Sequence, residues 1–171
     1  MNQNKKIYDY KNSLTYELRN LTLCFLIKDN QVLLGMKKTG FGKGKYLGIG
    51  GKVEEGETIE QAAIREVQEE IGVVVKNIKK VGTLNFYFPF VEKPQKWNQK
   101  VHIFITENWE GEIIESEEMK PSWFNKKELP FDSMWSDAPY WTPLILDNKK
   151  IHAEFMFNKE LEIIENIVLI N

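Results

Sequence analysis

The chain has 171 residues, of which 42% are hydrophobic and 28% charged, with a formal net charge of -2 and a pI near 5.8. This suits one soluble globular domain with a sizeable core, and it argues against a nucleic-acid polymer as partner, because phosphate backbones are gripped through clustered basic surface. Its one cysteine, Cys24, can form no internal disulfide, and runs such as LTLCFLI are too short to span a bilayer, so a cytoplasmic protein with no membrane association is expected.

Residues 1–20 are polar with scattered aromatics and no clear period, and they read as an extension of unreadable purpose ahead of a domain over 21–171. Leu21 to Lys28 reads as a buried strand, Asp29-Asn30 as a turn and Gln31 to Lys37 as the returning strand of a hairpin. Thr22 and Lys37 carry polar ends suited to face a ligand from this sheet. The loop over 39–45, TGFGKGK, is glycine-rich and basic, a composition that serves either plain turn chemistry or the guiding of phosphates.

The densest pattern runs from Gly51 to Val73. Thr58 with Gln61 makes a capping box, Gly72 is the expected stop, and Ile64, Val67 and Ile71 recur at helical spacing. At about 100° per residue, Glu66, Glu69 and Glu70 fall together on the side away from that stripe. A solvated acidic face is the common fate of helical glutamates. Here, however, like charges three and four residues apart repel, and Glu69 and Glu70 sit at a helix end whose dipole disfavours anions, at a cost of a few tenths to about 1 kcal/mol each. With Arg65 expected to point elsewhere, a hard divalent cation is the compensating charge. Glycines at 48, 50, 51 and 56 let the backbone approach it. Glu57 and Arg65, opposite in charge, are expected to tie loop to helix as a structural pair.

Beyond the helix, Val73 to Val75 and Ile78 to Val91 read as extended, with Phe86, Phe88 and Phe90 alternating onto one face, a stripe that is either core or a stacking surface for a base. Pro89 and Pro94 bracket a polar, mobile loop to about Lys100. Val101 to Thr106 is a further strand, in which His102 reads as a hydrogen-bonded residue because no serine or cysteine nucleophile pairs with it. Glu118, in the acidic run 115–118, is a candidate for one more metal carboxylate or a solvated loop residue, and PSWF (121–124) reads as a turn. In the aromatic segment 131–141, Pro139 and Pro143 restrict the backbone and present Trp135 to the core or to a base. The runs 151–157 and 161–170 read as a closing hairpin, the second with a helical alternative.

The spacing Gly51, Glu57, Arg65-Glu66-Val67, Glu69-Glu70, Gly72-Val73 resembles the signature box of the Nudix hydrolases at every defined position. The resemblance implies an α/β fold, an α/β/α sandwich around a mixed sheet. It also implies Mg2+-dependent (or Mn2+-dependent) cleavage of a nucleoside diphosphate linkage, with Glu66, Glu69, Glu70 and the Gly50 carbonyl as metal ligands and Glu70 or Glu118 activating water. Over roughly 21–157, the segments VLLGMKKTGFGKGK, GGKVEEGETIE, ESEEMKPSWF, MWSD and YWTPLIL are similar to one branch, the animal-type MutT homologues that hydrolyse oxidised purine nucleoside triphosphates. On that likeness Thr22, Lys37, Ile49, Gly51, Lys52, Phe86, Trp135 and Asp137 contribute to a pocket for a small nucleoside triphosphate, and Glu118 joins the metal site. Two departures stand out. An asparagine that contacts the base in that branch is Leu47 here, and the second of two adjacent aspartates is Ala138.

Overall fold

In the strand β1 (Arg19–Lys28), Cys24 and Leu26 point to one side and Phe25 and Ile27 to the other, and all four are buried. A strand sealed on both faces belongs inside a sheet covered by layers on both sides, and that is the architecture of the protein. The structure is a computed structural model that describes residues 5–171. Among these residues, eight strands form one mixed sheet. From one edge it runs β10 (Ile163–Ile170), β9 (Ile151–Phe157), β5 (Lys79–Tyr87), β6 (Gln99–Thr106), β1, β2 (Gln31–Lys37) and β3 (Tyr46–Leu47), and β8 (Met119–Asn125) pairs with the other side of β2. The β1–β6 and β5–β9 pairs are parallel and the remainder antiparallel. A small ribbon of β4 (Val74–Lys76) and β7 (Asn108–Glu110) stands apart.

Helix α2 (Ile59–Ile71) covers one face, burying Ala63, Val67 and Ile71 against Cys24, Leu26, Ile49 and Phe104. It starts at the expected capping box of Thr58 and Gln61 and stops at Gly72, whose φ of 78° is the left-handed value that glycine takes without strain. Helix α3 (Ala138–Leu146) covers the opposite face, where Trp141 and Ile145 pack with Phe25, Ile103 and Phe155. The fold is thus the α/β/α sandwich that the family resemblance implies.

Several local expectations are corrected. The polar amino-terminal stretch contains a helix, α1 (Lys5–Ser13), which shares the face of α2 and buries Ile7 completely against Tyr87 and Met156. PSWF is not a turn but the middle of β8, where Pro121 lies opposite Gly35. Phe90 leaves the aromatic stripe and is 51% exposed, because β5 ends at Tyr87. The run 161–170 supplies strand β10 rather than a helix. No helix among the described residues is long and apolar enough to cross a membrane.

Candidate active site

The hairpin of β1 and β2 holds together only at its turn, where Ile27 pairs with Val32 and Lys28 with Gln31. Beyond that the strands diverge, and residues 46–53 thread the gap. Tyr46 and Leu47 pair with β2, while Ile49 and Lys52 bridge to Cys24 and Leu21 of β1. This wedge carries Gly50 and Gly51 against α2. A Cβ on Gly50 would lie 1.9 Å from the Thr22 carbonyl oxygen, so a larger residue there would push the wedge off the backbone of β1, and one on Gly51 would lie 2.5 Å from the Glu66 carboxyl carbon and displace that carboxylate.

Above the wedge opens a cleft of about 620 Å³, a size suited to a small-molecule ligand. At one end it is lined by Glu66, Glu70, Glu118, Lys37, Lys52, Gly50, Gly51 and Thr22, and at the other by aromatic and apolar side chains. Glu70 sits deepest among the carboxylates. Burial above all, then the charges of Glu66 and Glu118, push its pKa up to about 8, against a backbone hydrogen bond from Gly50 and the charge of Lys37. One of its oxygens, Oε2, is buried without a hydrogen-bond partner, and so is the Thr22 hydroxyl. Orphaned oxygens of this kind cost about 1–3 kcal/mol each unless a ligand completes them. Burial also raises the Glu66 pKa, with Arg65 opposing.

Arg65 departs from expectation. It does bind Glu57 through two hydrogen bonds of 2.7 and 3.0 Å and holds the Lys52 carbonyl at 2.9 Å, fastening loop to helix. But its Nη1 also turns into the acidic patch, 3.0 Å from Glu66 and 3.2 Å from Glu69. The positive charge that the glutamates require is therefore partly supplied from within the same helix. Glu69 stays at the rim with its side chain 60% exposed, outside the cleft lining. Accordingly, no three acidic, histidine or cysteine side chains among the described residues stand converged as a ready-made cage. Glu66, Glu70 and Glu118 share one end of the cleft and supply hard oxygen donors of the type a divalent cation takes.

At the other end, Phe86, Trp135 and Asp137 all line the cleft as expected of a pocket. Asp137 is 6% exposed. Its Oδ2 accepts the Trp141 indole N–H at 2.7 Å, and burial pushes its pKa up to about 6. Leu47 and Ala138 face the same space, so two of its lining positions are apolar. Ile49 is a correction. Its side chain is fully buried in the α2 core, and its N–H and carbonyl are both spent on Cys24, which leaves it nothing to offer a substrate. His102 is a strand residue with both ring nitrogens engaged, by Asn20 and Lys80.

Sequence reasoning missed Tyr46, Trp97 and Trp141, all of which line the cleft. Phe41 stacks on Trp135 at 5.0 Å and meets Trp97 edge-on at 5.0 Å, joining three loops through their rings. The one signal for Trp97 was its setting, since a tryptophan in a polar loop is costly to leave exposed.

Comparison with known proteins shows the family of the chain. The oxidized purine nucleoside triphosphate hydrolase of Danio rerio is 47% identical over 146 residues, 85% of this chain and 91% of that protein. That of Mus musculus is 46% identical over 142 residues, 83% and 88% of the two chains. Among solved structures, the MutT protein from Bacillus halodurans superposes with a TM-score of 0.73 at 25% identity, covering 88% of this chain and 97% of its own. Residues 18–145 match the family model described as NUDIX domain, and the chain therefore belongs to the Nudix hydrolase family.

Proposed function

We propose that the protein hydrolyses oxidised purine nucleoside triphosphates to the nucleoside monophosphate and pyrophosphate, with Mg2+ as the divalent cation, and so clears damaged nucleotides from the precursor pool. The observation that carries the reading is the division of one cleft into a carboxylate end and an aromatic end, with the unpartnered Glu70 oxygen at the former.

The residues fit a cation. Glu66, Glu70 and Glu118 would hold it, assisted by the Gly50 carbonyl and by Glu69 from the rim, and an anionic Glu70 buried beside two other carboxylates is relieved by positive charge. A bound ion would neutralise the phosphate oxygens and acidify the attacking water. Lys37 and Lys52 bring further positive charge to the triphosphate, and the Thr22 hydroxyl donates to it. Glu70, kept anionic by the cation, takes the proton from the attacking water at its unpartnered oxygen. Trp135 and Phe86 sandwich the base, and Asp137 reads its edge.

A second reading, relaxed selectivity among nucleoside triphosphates, is favoured by Leu47 and Ala138, because discrimination against analogues comes mainly from buried polar groups left unpaired. One assay separates the two. Pyrophosphate release is measured across oxidised and ordinary purine and pyrimidine triphosphates, with Mg2+ and with chelator. Preference for oxidised purines, abolished by chelator, is expected. Equal turnover of all substrates selects the relaxed enzyme, and no release from any nucleotide sinks both.

A further inference from the structure

The loop that follows β5 is expected to be mobile, yet one side chain ties its two ends. Asn98, fully buried, accepts the Phe88 N–H at 2.7 Å through Oδ1 across ten residues of chain. Its Nδ2 donates to the hydroxyl of Tyr10 at 3.0 Å and to that of Tyr16 at 2.8 Å. Both amide hydrogens and the amide oxygen are thereby used, which fixes the side chain in one orientation. The Asn98 carbonyl also takes the N–H of Arg19 at the start of β1.

Tyr10 belongs to α1, and α1 is itself anchored. The Glu165 carboxylate accepts the N–H groups of Lys6 and Ile7 at the helix start. Lys11 reaches Glu154 at 2.9 Å, at the same oxygen that takes the Tyr87 hydroxyl and the Asn85 amide. The Tyr10 ring stands edge-on to Tyr87 at 5.9 Å. This helix lies outside residues 18–145, the segment that matches the family model.

The residue next to Asn98 faces the cleft. Trp97 lines it, edge-on to Phe41 at 5.0 Å and tilted against Phe88 at 5.8 Å. Phe88 in turn stacks on Phe157 at 5.0 Å with planes 9° apart. So a helix on one face of the sheet braces, through a single buried amide, an aromatic wall of the cleft that lies on the other face. At an end where Leu47 and Ala138 are apolar and one of the two Asp137 oxygens is taken by Trp141, selection among bases depends on ring position and shape beside what the other oxygen reads, and ring position is sensitive to displacements of about half an ångström.

We propose that Trp97 is a specificity-determining residue of the nucleotide cleft and that the amino-terminal helix positions it by way of Tyr10, Tyr16 and Asn98. The inference rests on the proposed nucleotide hydrolysis. It separates binding from chemistry, because the relay ends at the aromatic wall and leaves the carboxylates untouched.

The test uses Tyr10→Phe combined with Tyr16→Phe, which removes both acceptors and keeps both rings, alongside Trp97→Ala. The full chain carries 5-fluorotryptophan, with the Trp97 resonance assigned by its loss in Trp97→Ala. In the double variant the Trp97 resonance is expected to shift while that of Trp123, in the α2 core, stays. KM for the preferred nucleotide is expected to rise several-fold with kcat held within about twofold, and Trp97→Ala to raise KM about tenfold, the worth of one base-stacking ring. An unmoved Trp97 resonance overturns the relay. A KM unchanged in Trp97→Ala overturns the specificity role. Both outcomes leave an active parent enzyme, whereas a parent that turns over no nucleotide removes the proposed function and this inference together.

Discussion

The two ends of the cleft are made in opposite ways. The carboxylate end is almost continuous in sequence: Gly50, Gly51, Lys52, Glu66 and Glu70 lie within about one loop and one helix, and only Thr22, Lys37 and Glu118 come from elsewhere. The aromatic end is collected from segments far apart, with Phe41, Phe86, Trp97, Trp135, Trp141 and Phe157 on strands, loops and helix α3. One end is fixed by local geometry and charge, the other by tertiary packing. Chemistry and base choice should therefore respond to different substitutions.

The sharpest way to break that separation is at Glu70. Glu70→Gln is expected to lower kcat about 10²- to 10⁴-fold while the base preference of the residual activity stays. The folded-state pKa is raised, from 4.5 to about 8, so the stabilising contribution of Glu70 is complete below about pH 4.5 and lost as pH rises through 8. In chelator, then, the Gln variant should melt above the parent by a margin that opens between pH 4.5 and 8. Thermal melts at pH 4 and pH 8 read this directly, and a variant that melts below the parent at pH 8 contradicts the buried, unpartnered carboxylate.

A smaller effect is expected from the aromatic end. Leu47→Asn restores one polar group beside the base and should change the ratio of kcat/KM between oxidised and ordinary purine triphosphates about tenfold, with kcat on the better substrate nearly constant. Parallel loss of kcat on every substrate would show that the two ends are coupled.

The smallest is a matter of stability. The Asp137 pKa is raised from 3.8 to about 6 by burial, so its contribution is largest below pH 3.8 and declines as pH rises through 6. Asp137→Asn keeps an acceptor for the Trp141 indole and removes the titration. Urea unfolding should show the parent losing on the order of 1–3 kcal/mol relative to the variant between pH 4 and 7. An identical pH slope in both proteins would place the carboxyl in contact with water.

The same contrast explains what could be read from the residues alone. Helix α2 was legible because its cap, stripe and stop lie within fifteen residues and agree with one another. The carboxylates came with it. Arg65 was misread because its long side chain reaches both Glu57 and the patch, a choice that spacing does not decide. The strand through PSWF was hidden by Pro121, which sits opposite Gly35 in β8. Helix α1 gave no signal because its support lies in Glu154 and Glu165, more than 140 residues away in the chain. The place of Trp97 was hidden for the same reason, beyond the hint of a tryptophan in a polar loop: it follows from Asn98, whose partners Tyr10 and Tyr16 precede it by more than 80 residues.

Cys24 has a consequence for survival under stress. The thiol has no exposed surface, and burial pushes its pKa up to about 12, so almost no thiolate exists to meet peroxide. As it is the one cysteine of the chain, sulfur chemistry offers oxidants no thiol foothold here, and a burst that damages the guanine pool would leave this enzyme's sulfhydryl intact at the moment its work increases.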